Sequence, residues 1–273
     1  MAPLDAAIAL GRAHGIRSAE PRVLKDGSNL LVHLDPAPVV IRVATFTGRI
    51  RRDPLPYLER EVRLATALVA EGAAVAPPSP LLPAGPHQID GWSMTAWAFV
   101  EHVAGAVPDA ATAFVALDSL HDALRRVTIA LPLLGPVTSD LDLAIDFALE
   151  VGLLSRADAD ERRTRRDRLV AELLSVASDR QSLHGDAFPR NSLLTSRGVV
   201  WIDFEDCCLG PVAWDHAVLI RNVADPTVER VLRERDGAAA IDAAIALREI
   251  QAHVWGTLHG ARAEGRLDPD PDG

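Results

Sequence analysis

Apolar positions along the chain follow two different periods, and the change from one to the other divides it. In the first hundred residues, short aliphatic and β-branched runs stand between turn signals. "NLLVHL" (29–34) and "PVVIRVA" (38–44) read as strands, with "DGSN" (26–29) and "DPAP" (35–38) as the turns. "PLDAAIALGRAHG" predicts a short helix closed by Gly15. "DPLPYLEREVRLATALVAEG" predicts a longer one, with Asp53 as cap, Pro54 in the first turn and Gly72 at the end. Its inward stripe is expected to be Leu55, Leu58, Val62, Ala65 and Val69. The Pro/Gly-rich "PPSPLLPAGPHQIDGW" then leads into a further strand and its exit, "WSMTAWAFVEHVAG".

After about residue 105 the period becomes helical. "DAATAFVALDSLHDALRRV", "DLDLAIDFALEVGLL" and "ADADERRTRRDRLVAELLSVA" all carry apolar stripes. A loop near 182–194 interrupts them, "VVWIDF" reads as a short strand, and "AWDHAVLIRNV" starts helix again. Two more helices are expected near 226–234 and 238–262. The tail "DPDPDG" has the composition of disorder. The pattern predicts an α+β chain of two lobes, a small β-rich one over residues 1–102 and a larger helical one over 103–273. Ligand sites favour such junctions.

The 273 residues are enough for two cores. A net charge of -10 argues against a nucleic-acid partner and suits a cationic ligand. Nearly all basic charge is arginine; Lys25 is the only lysine. The two cysteines, Cys207 and Cys208, are adjacent, so they cannot staple distant elements and read as small buried side chains in a reducing cytoplasm. The first residues lack a basic start before a long apolar core and do not read as a signal peptide. No run is long and apolar enough to cross a bilayer, so no membrane partner is expected.

The chemistry concentrates in residues 182–206. "SLHGDAFPRNSLL" places Asp186 in a loop, with Asn191 five residues later. Asp203 follows the aliphatic strand that starts at Val199. Pairing "SLLT" with "VVWIDF" across "SRG" would bring Asn191 and Asp203 to the open end of one hairpin. Carboxylate and carboxamide oxygens are the ligands that hard Mg²⁺ prefers. Phosphoryl transfer needs such a metal, plus a carboxylate to orient the attacking hydroxyl.

The order His184-Gly185-Asp186, Asn191, Ile202-Asp203-Phe204 resembles the aminoglycoside phosphotransferase and choline kinase family of small-molecule kinases. The resemblance implies a protein-kinase-like fold. It makes Asp186 the catalytic residue, Asn191 and Asp203 the Mg²⁺ ligands, and His184 a support for the loop. "GPVAWDHAVL" resembles the family's next segment, which makes Asp215 a brace for the catalytic loop. The family's strand lysine, which holds the α- and β-phosphates of ATP or GTP, is replaced here by Arg42. Its helix partner is Glu61, with Glu59 as the other candidate. Ser28, in a turn with few glycines, would approach the phosphates. The nucleotide base would lie against the strand exit at Trp97 and Phe99.

Other groups are read more plainly. His121 is expected to pack a helix, and the "ERRTRRDR" run to form a solvated face. Asp140, Asp142 and Asp146, with Glu205 and Asp206, suit a cationic acceptor; the first three serve equally as favourable charges at a helix start. The function expected is transfer of a γ-phosphate to a hydroxyl of a small molecule, aminoglycoside-like, choline-like or another metabolite, by a monomer or dimer. The alternative is a nucleotide-binding pseudoenzyme or ligand sensor, suggested by Arg42 and the glycine-poor turn.

Overall fold

The computed structural model describes residues 1–267 apart from Ala19 and Ser178. The acidic tail, and with it the disorder expected there, lies outside the described residues. The chain forms two compact units. Of the described residues, the first comprises Met1–Gly105 and Leu193–Glu205, and the second comprises Ala106–Ser192 and 206–267.

In the first unit, helix α1 (Pro3–Ala13) covers one face of an antiparallel sheet. Its strands are β1 (Arg22–Asp26), β2 (Leu30–His33), β3 (Val39–Val43), β4 (His87–Ile89) and β5 (Trp92–Ala98), in the order β1-β2-β3-β5-β4. The two-residue period of a strand decides what each face carries. Val39, Ile41 and Val43 of β3 lie opposite Ala98, Ala96 and Met94 of β5, and join Ala6, Ala7 and Leu10 of α1 in a core. Arg42 necessarily points to the other face, between Leu31 and Thr95 of the neighbouring strands.

Two elements here escape the sequence pattern. β1 is exposed at every residue, so no apolar alternation marks it; it is an edge strand that carries Arg22 and Lys25, charges that discourage further pairing. Helix α2 (Phe46–Arg51) is only six residues long, too short for a helical period to declare itself.

Helix α3 (Leu55–Ala70) corrects an expectation. Its buried side chains are Tyr57, Leu58, Glu61, Leu64, Ala65 and Leu68, while Val69 is exposed. The apolar stripe is rotated by about one residue from that expected, because Glu61 faces inward to meet Arg42. Pro54 is the cap position, and Asp53 accepts the Leu55 N–H through Oδ1 at 3.2 Å.

The segment Leu193–Glu205 joins this unit. Strands β7 (Ser192–Thr195) and β8 (Gly198–Trp201) pair as the expected hairpin. Trp201, almost fully buried, donates its N–H to the Ala74 carbonyl, and its own carbonyl accepts from Ala76, both at 2.9 Å.

The second unit is built round helix α9 (Ala238–Ala263). Helices α5 (Ser139–Glu150), α6 (Arg156–Val176), α7 (Ala213–Val223) and α8 (Pro226–Asp236) pack against it, and α4 (Ala110–Arg126) packs on α7 and α8. Side chains of Asp109, Ser155 and Asp225 cap α4, α6 and α8 by accepting backbone N–H groups. Strand β6 (Gln181–Leu183) pairs antiparallel with β9 (Cys208–Gly210), Leu183 opposite Cys208. Both cysteines are buried and unbridged. No helix among the described residues is long and apolar enough to cross a membrane.

Candidate active site

Arg42 of β3 is 4% exposed and meets three carboxylates within the first unit. Nη1 binds Glu61 of α3; Nη2 lies 3.0 Å from Asp203 and 2.5 Å from Glu205. Glu59, the other candidate partner, is exposed. Arg51 of α2 binds Glu205 at 2.6 Å, and its guanidinium lies 4.2 Å from the centre of the Tyr57 ring. Asn29 donates to Glu205 at 3.1 Å. Asn29 also ties the turn holding Ser28 to this centre, and the Ser28 carbonyl accepts the Thr47 N–H at 3.0 Å. Glu61 accepts the Phe204 N–H at 3.1 Å.

Three carboxylates thus share two guanidiniums. Burial pushes the Glu61 carboxyl above the usual range, and Asp203 and Glu205 add to the push against the pull of Arg42. Burial acts against the charge on Arg42, but Glu205, Glu61 and Asp203 outweigh it and raise its pKa. Glu205 is held low, because Arg42 and Arg51 overcome the burial that acts the other way. Asp203 has φ +68°, a left-handed backbone that non-glycine residues seldom adopt and that collects at functional sites.

Trp97 and Phe99 lie at the end of β5, both half-buried. Trp97 Nε1 donates to Thr95 at 2.9 Å. The Phe99 ring stacks on His33, with centroids 4.0 Å apart and planes 5° from parallel.

Within the second unit, Asp186 and Asn191 sit together on the loop that leaves β6. Asn191 Nδ2 donates to Asp186 Oδ2 at 2.8 Å and to the Asp186 carbonyl at 3.1 Å. Arg248 of α9 donates to Asp186 Oδ1 at 2.7 Å and is itself held by Gln251 at 2.6 Å. Asp215, fully buried, accepts the His184 N–H through Oδ2 and the Gly185 N–H through Oδ1, both at 2.9 Å. His121 of α4 also meets Oδ2 at 2.9 Å. Burial works against the Asp215 charge, but these hydrogen bonds and the nearby imidazoles outweigh it and lower its pKa. Trp214 Nε1 donates to the Gly185 carbonyl at 2.8 Å.

Gly185 has φ +87°, and a Cβ there would stand 1.8 Å from the Asp206 carbonyl oxygen. Gly185→Ala is therefore expected to cost about 3 kcal/mol or more, from left-handed strain plus steric overlap. Urea unfolding checks it; a stability equal to that of the parent would show that the loop does not need this close approach.

Some residues were not legible in the sequence. Asn29 and Arg51 meet Glu205, which the sequence suggested only as an acceptor-site charge, from positions up to 176 residues away, and Arg248 reaches Asp186 across 62. Nothing local marks such pairs. The acidic group at the start of α5 differs from its cationic-acceptor reading. Asp142 pairs with Arg163 and Arg166, and Asp146 with Arg163. Part of the "ERRTRRDR" run is thus engaged rather than solvated, and Arg166 is buried.

The profile of the Phosphotransferase enzyme family matches residues 22–263, nearly the whole chain. The chain belongs to that family. No curated protein matches this phosphotransferase in sequence. Solved structures match it in fold. A choline kinase from Streptococcus pneumoniae has TM-score 0.67 and 12% identity, over 99% of this chain and 94% of that one. An aminoglycoside phosphotransferase from Streptomyces rimosus, solved with ADP and streptomycin, has TM-score 0.65 and 14% identity, over 92% and 99%. An aminoglycoside 2″-phosphotransferase solved with GDP and kanamycin has TM-score 0.62 and 17% identity, over 95% and 92%. The neighbours give the chain a kinase-like fold, and the family makes it a phosphotransferase.

Proposed function

We propose that this phosphotransferase moves the γ-phosphate of ATP or GTP to a hydroxyl of a small molecule, with Asp186 as the catalytic carboxylate. The observation that carries the reading is the double restraint on Asp186, with Arg248 on one oxygen and Asn191 on the other. A carboxylate fixed in this way can orient an acceptor hydroxyl and take its proton as the oxygen attacks. His184, Gly185 and Asp215 hold the loop backbone so that the carboxylate keeps its place.

The donor set fits a hard cation. Asn191 commits Nδ2 to Asp186, which leaves the oxygen Oδ1 for a metal. Asp203 stands in a centre where three carboxyls share two guanidiniums, and its carboxylate oxygens are ligands of the kind a hard dication prefers. Asn191 and Asp203 would hold Mg²⁺, which when bound neutralises phosphate oxygens. Arg42 would take the phosphate role of the family's lysine, oriented by Glu61. Ser28 and the backbone of its turn would lie by the phosphates, and Trp97 and Phe99 by the base.

Arg42 also motivates the second reading, a nucleotide-binding pseudoenzyme or sensor. Its guanidinium is already engaged by three carboxylates. Arg42→Lys tests whether the fork holds the centre. A lysine offers a point charge where a fork now bridges. The variant is expected to lose about 2 kcal/mol, a fall in Tm of about 4–8 °C. An undiminished Tm would show that the fork is not what holds the centre.

The acceptor class is approached from charge. Asp142 and Asp146 are neutralised by arginines, and Arg248 stands on Asp186, so the acidic groups near α5 give no reason to prefer a cationic acceptor. The test is nucleoside diphosphate release from MgATP and MgGTP against amino sugars, amino alcohols, neutral sugars and hydroxy acids. Acceptor-dependent release supports the transferase. MgATP stabilisation without release across the panel supports the sensor.

A further inference from the structure

His216 takes no part in the phosphoryl-transfer loop, yet its imidazole is 1% exposed and its Nε2 has no hydrogen-bond partner. Its other nitrogen, Nδ1, lies 2.5 Å from Asp236, the last residue of α8. The ring centroid of His216 lies 5.1 Å from that of His121. One turn before His121 on α4 stands Asp118, with its side chain 37% exposed and fixed by Arg235. Asp118, His121 and His216 each offer one ligand-type atom, and the three atoms lie within 4.8 Å of one another.

We propose that these three side chains form a binding site for a zinc-class divalent cation, distinct from the oxygen set assigned to Mg²⁺. Two imidazoles and one carboxylate are a borderline-soft donor set that suits Zn²⁺ and leaves a fourth tetrahedral position to water. The surroundings fit the same chemistry. A metal-bound histidine usually gives its second nitrogen to a carboxylate, which fixes the tautomer and leaves the other nitrogen's lone pair for the metal. Both histidines are held so: His216 Nδ1 by Asp236, leaving Nε2, and His121 Nε2 by Asp215, leaving Nδ1. The orphaned Nε2 of His216 gains a partner when an ion is bound. Ligand atoms of a tetrahedral zinc lie about 3.4 Å apart, so binding draws the three side chains slightly inward. The partial exposure of Asp118 gives the ion its route from solvent. A bound ion joins α4 and α7, and through Asp236 it also reaches α8. It stiffens the His121–Asp215 contact that supports the catalytic loop.

The test uses the full chain, stripped with EDTA and then held in excess MgCl₂ so that oxygen sites are filled. Calorimetric titration with ZnCl₂ is expected to give one equivalent, and Co²⁺ a visible spectrum of tetrahedral nitrogen–oxygen type. Asp118→Asn, at a half-exposed position that tolerates the change, should weaken zinc at least 10-fold and alter the cobalt spectrum. Asp236→Asn should weaken it about 10- to 100-fold by freeing the ring of His216. Asp186→Asn should leave zinc binding unchanged. No zinc uptake by the parent protein, or Asp118→Asn binding with parental affinity and spectrum, overturns the proposal. A thiolate-type cobalt spectrum, which would place the ion on Cys207 and Cys208, overturns it as well.

Discussion

Asp186→Asn is expected to lower kcat by about 10³-fold, within the range that a positioned general base supplies. That is about 4 kcal/mol of lost transition-state stabilisation. The asparagine keeps an oxygen for Asn191 Nδ2 but cannot accept the hydroxyl proton. It also loses the charge that pairs with Arg248. The side chain is 23% exposed, so the fold should survive the exchange. Nucleoside diphosphate release with the best acceptor measures the effect. Circular dichroism and MgATP-induced stabilisation establish that the variant is folded and binds nucleotide. A folded variant that turns over at the parental rate would remove Asp186 from the chemistry and, with it, the proposed mechanism.

Asp215→Ala is expected to cost about 3–5 kcal/mol of stability, the range for removing one partner from a buried charged network. The carboxylate is fully buried and accepts from two backbone N–H groups and faces His121. Alanine leaves all of them without an acceptor, and each orphaned buried donor costs about 1–3 kcal/mol. Asp215→Asn keeps one oxygen and should fall between the two. The folded pKa lies below that of the unfolded chain, so the stabilisation is fully present above the unfolded value of about 3.9. It is lost as pH falls below that value toward the folded pKa. Urea unfolding from pH 7 down to about 3 should therefore show a steeper decline in the parent than in Asp215→Asn. An alanine variant within about 1 kcal/mol of the parent would show that the loop is held by other means.

The legible part of this fold was the part with local signals. β2 and β3 were visible because β-branched runs sit between turns, and α4 to α9 because their apolar stripes recur over several turns. β1 was invisible because all its side chains face solvent. The stripe of α3 was misplaced because a buried glutamate occupies the inward face that Val62 and Val69 were expected to share. In the candidate site, the resemblance pointed to Asp186 with Asn191 and to Arg42 with Glu61, and the structure shows each pair in contact. Glu205 was seen but given to the acceptor; the structure gives it to Arg42 and Arg51. Arg248 could not be read at all, because an arginine on a long amphipathic helix looks like any other solvated charge.

The make-up of the first unit bears on the order in which the protein matures on the ribosome. Residues 1–105 emerge first, but two of the three carboxylates that neutralise Arg42 arrive only with Asp203 and Glu205. Until residue 205 has been synthesised, Arg42 and Arg51 lack Glu205, and before residue 201 the Ala74 carbonyl and the Ala76 N–H lack the Trp201 backbone they pair with. The β-rich unit is therefore completed only once residues 193–205 have been made. Contacts such as Asn29 to Glu205, closed across 176 residues, are of the kind that slow folding most.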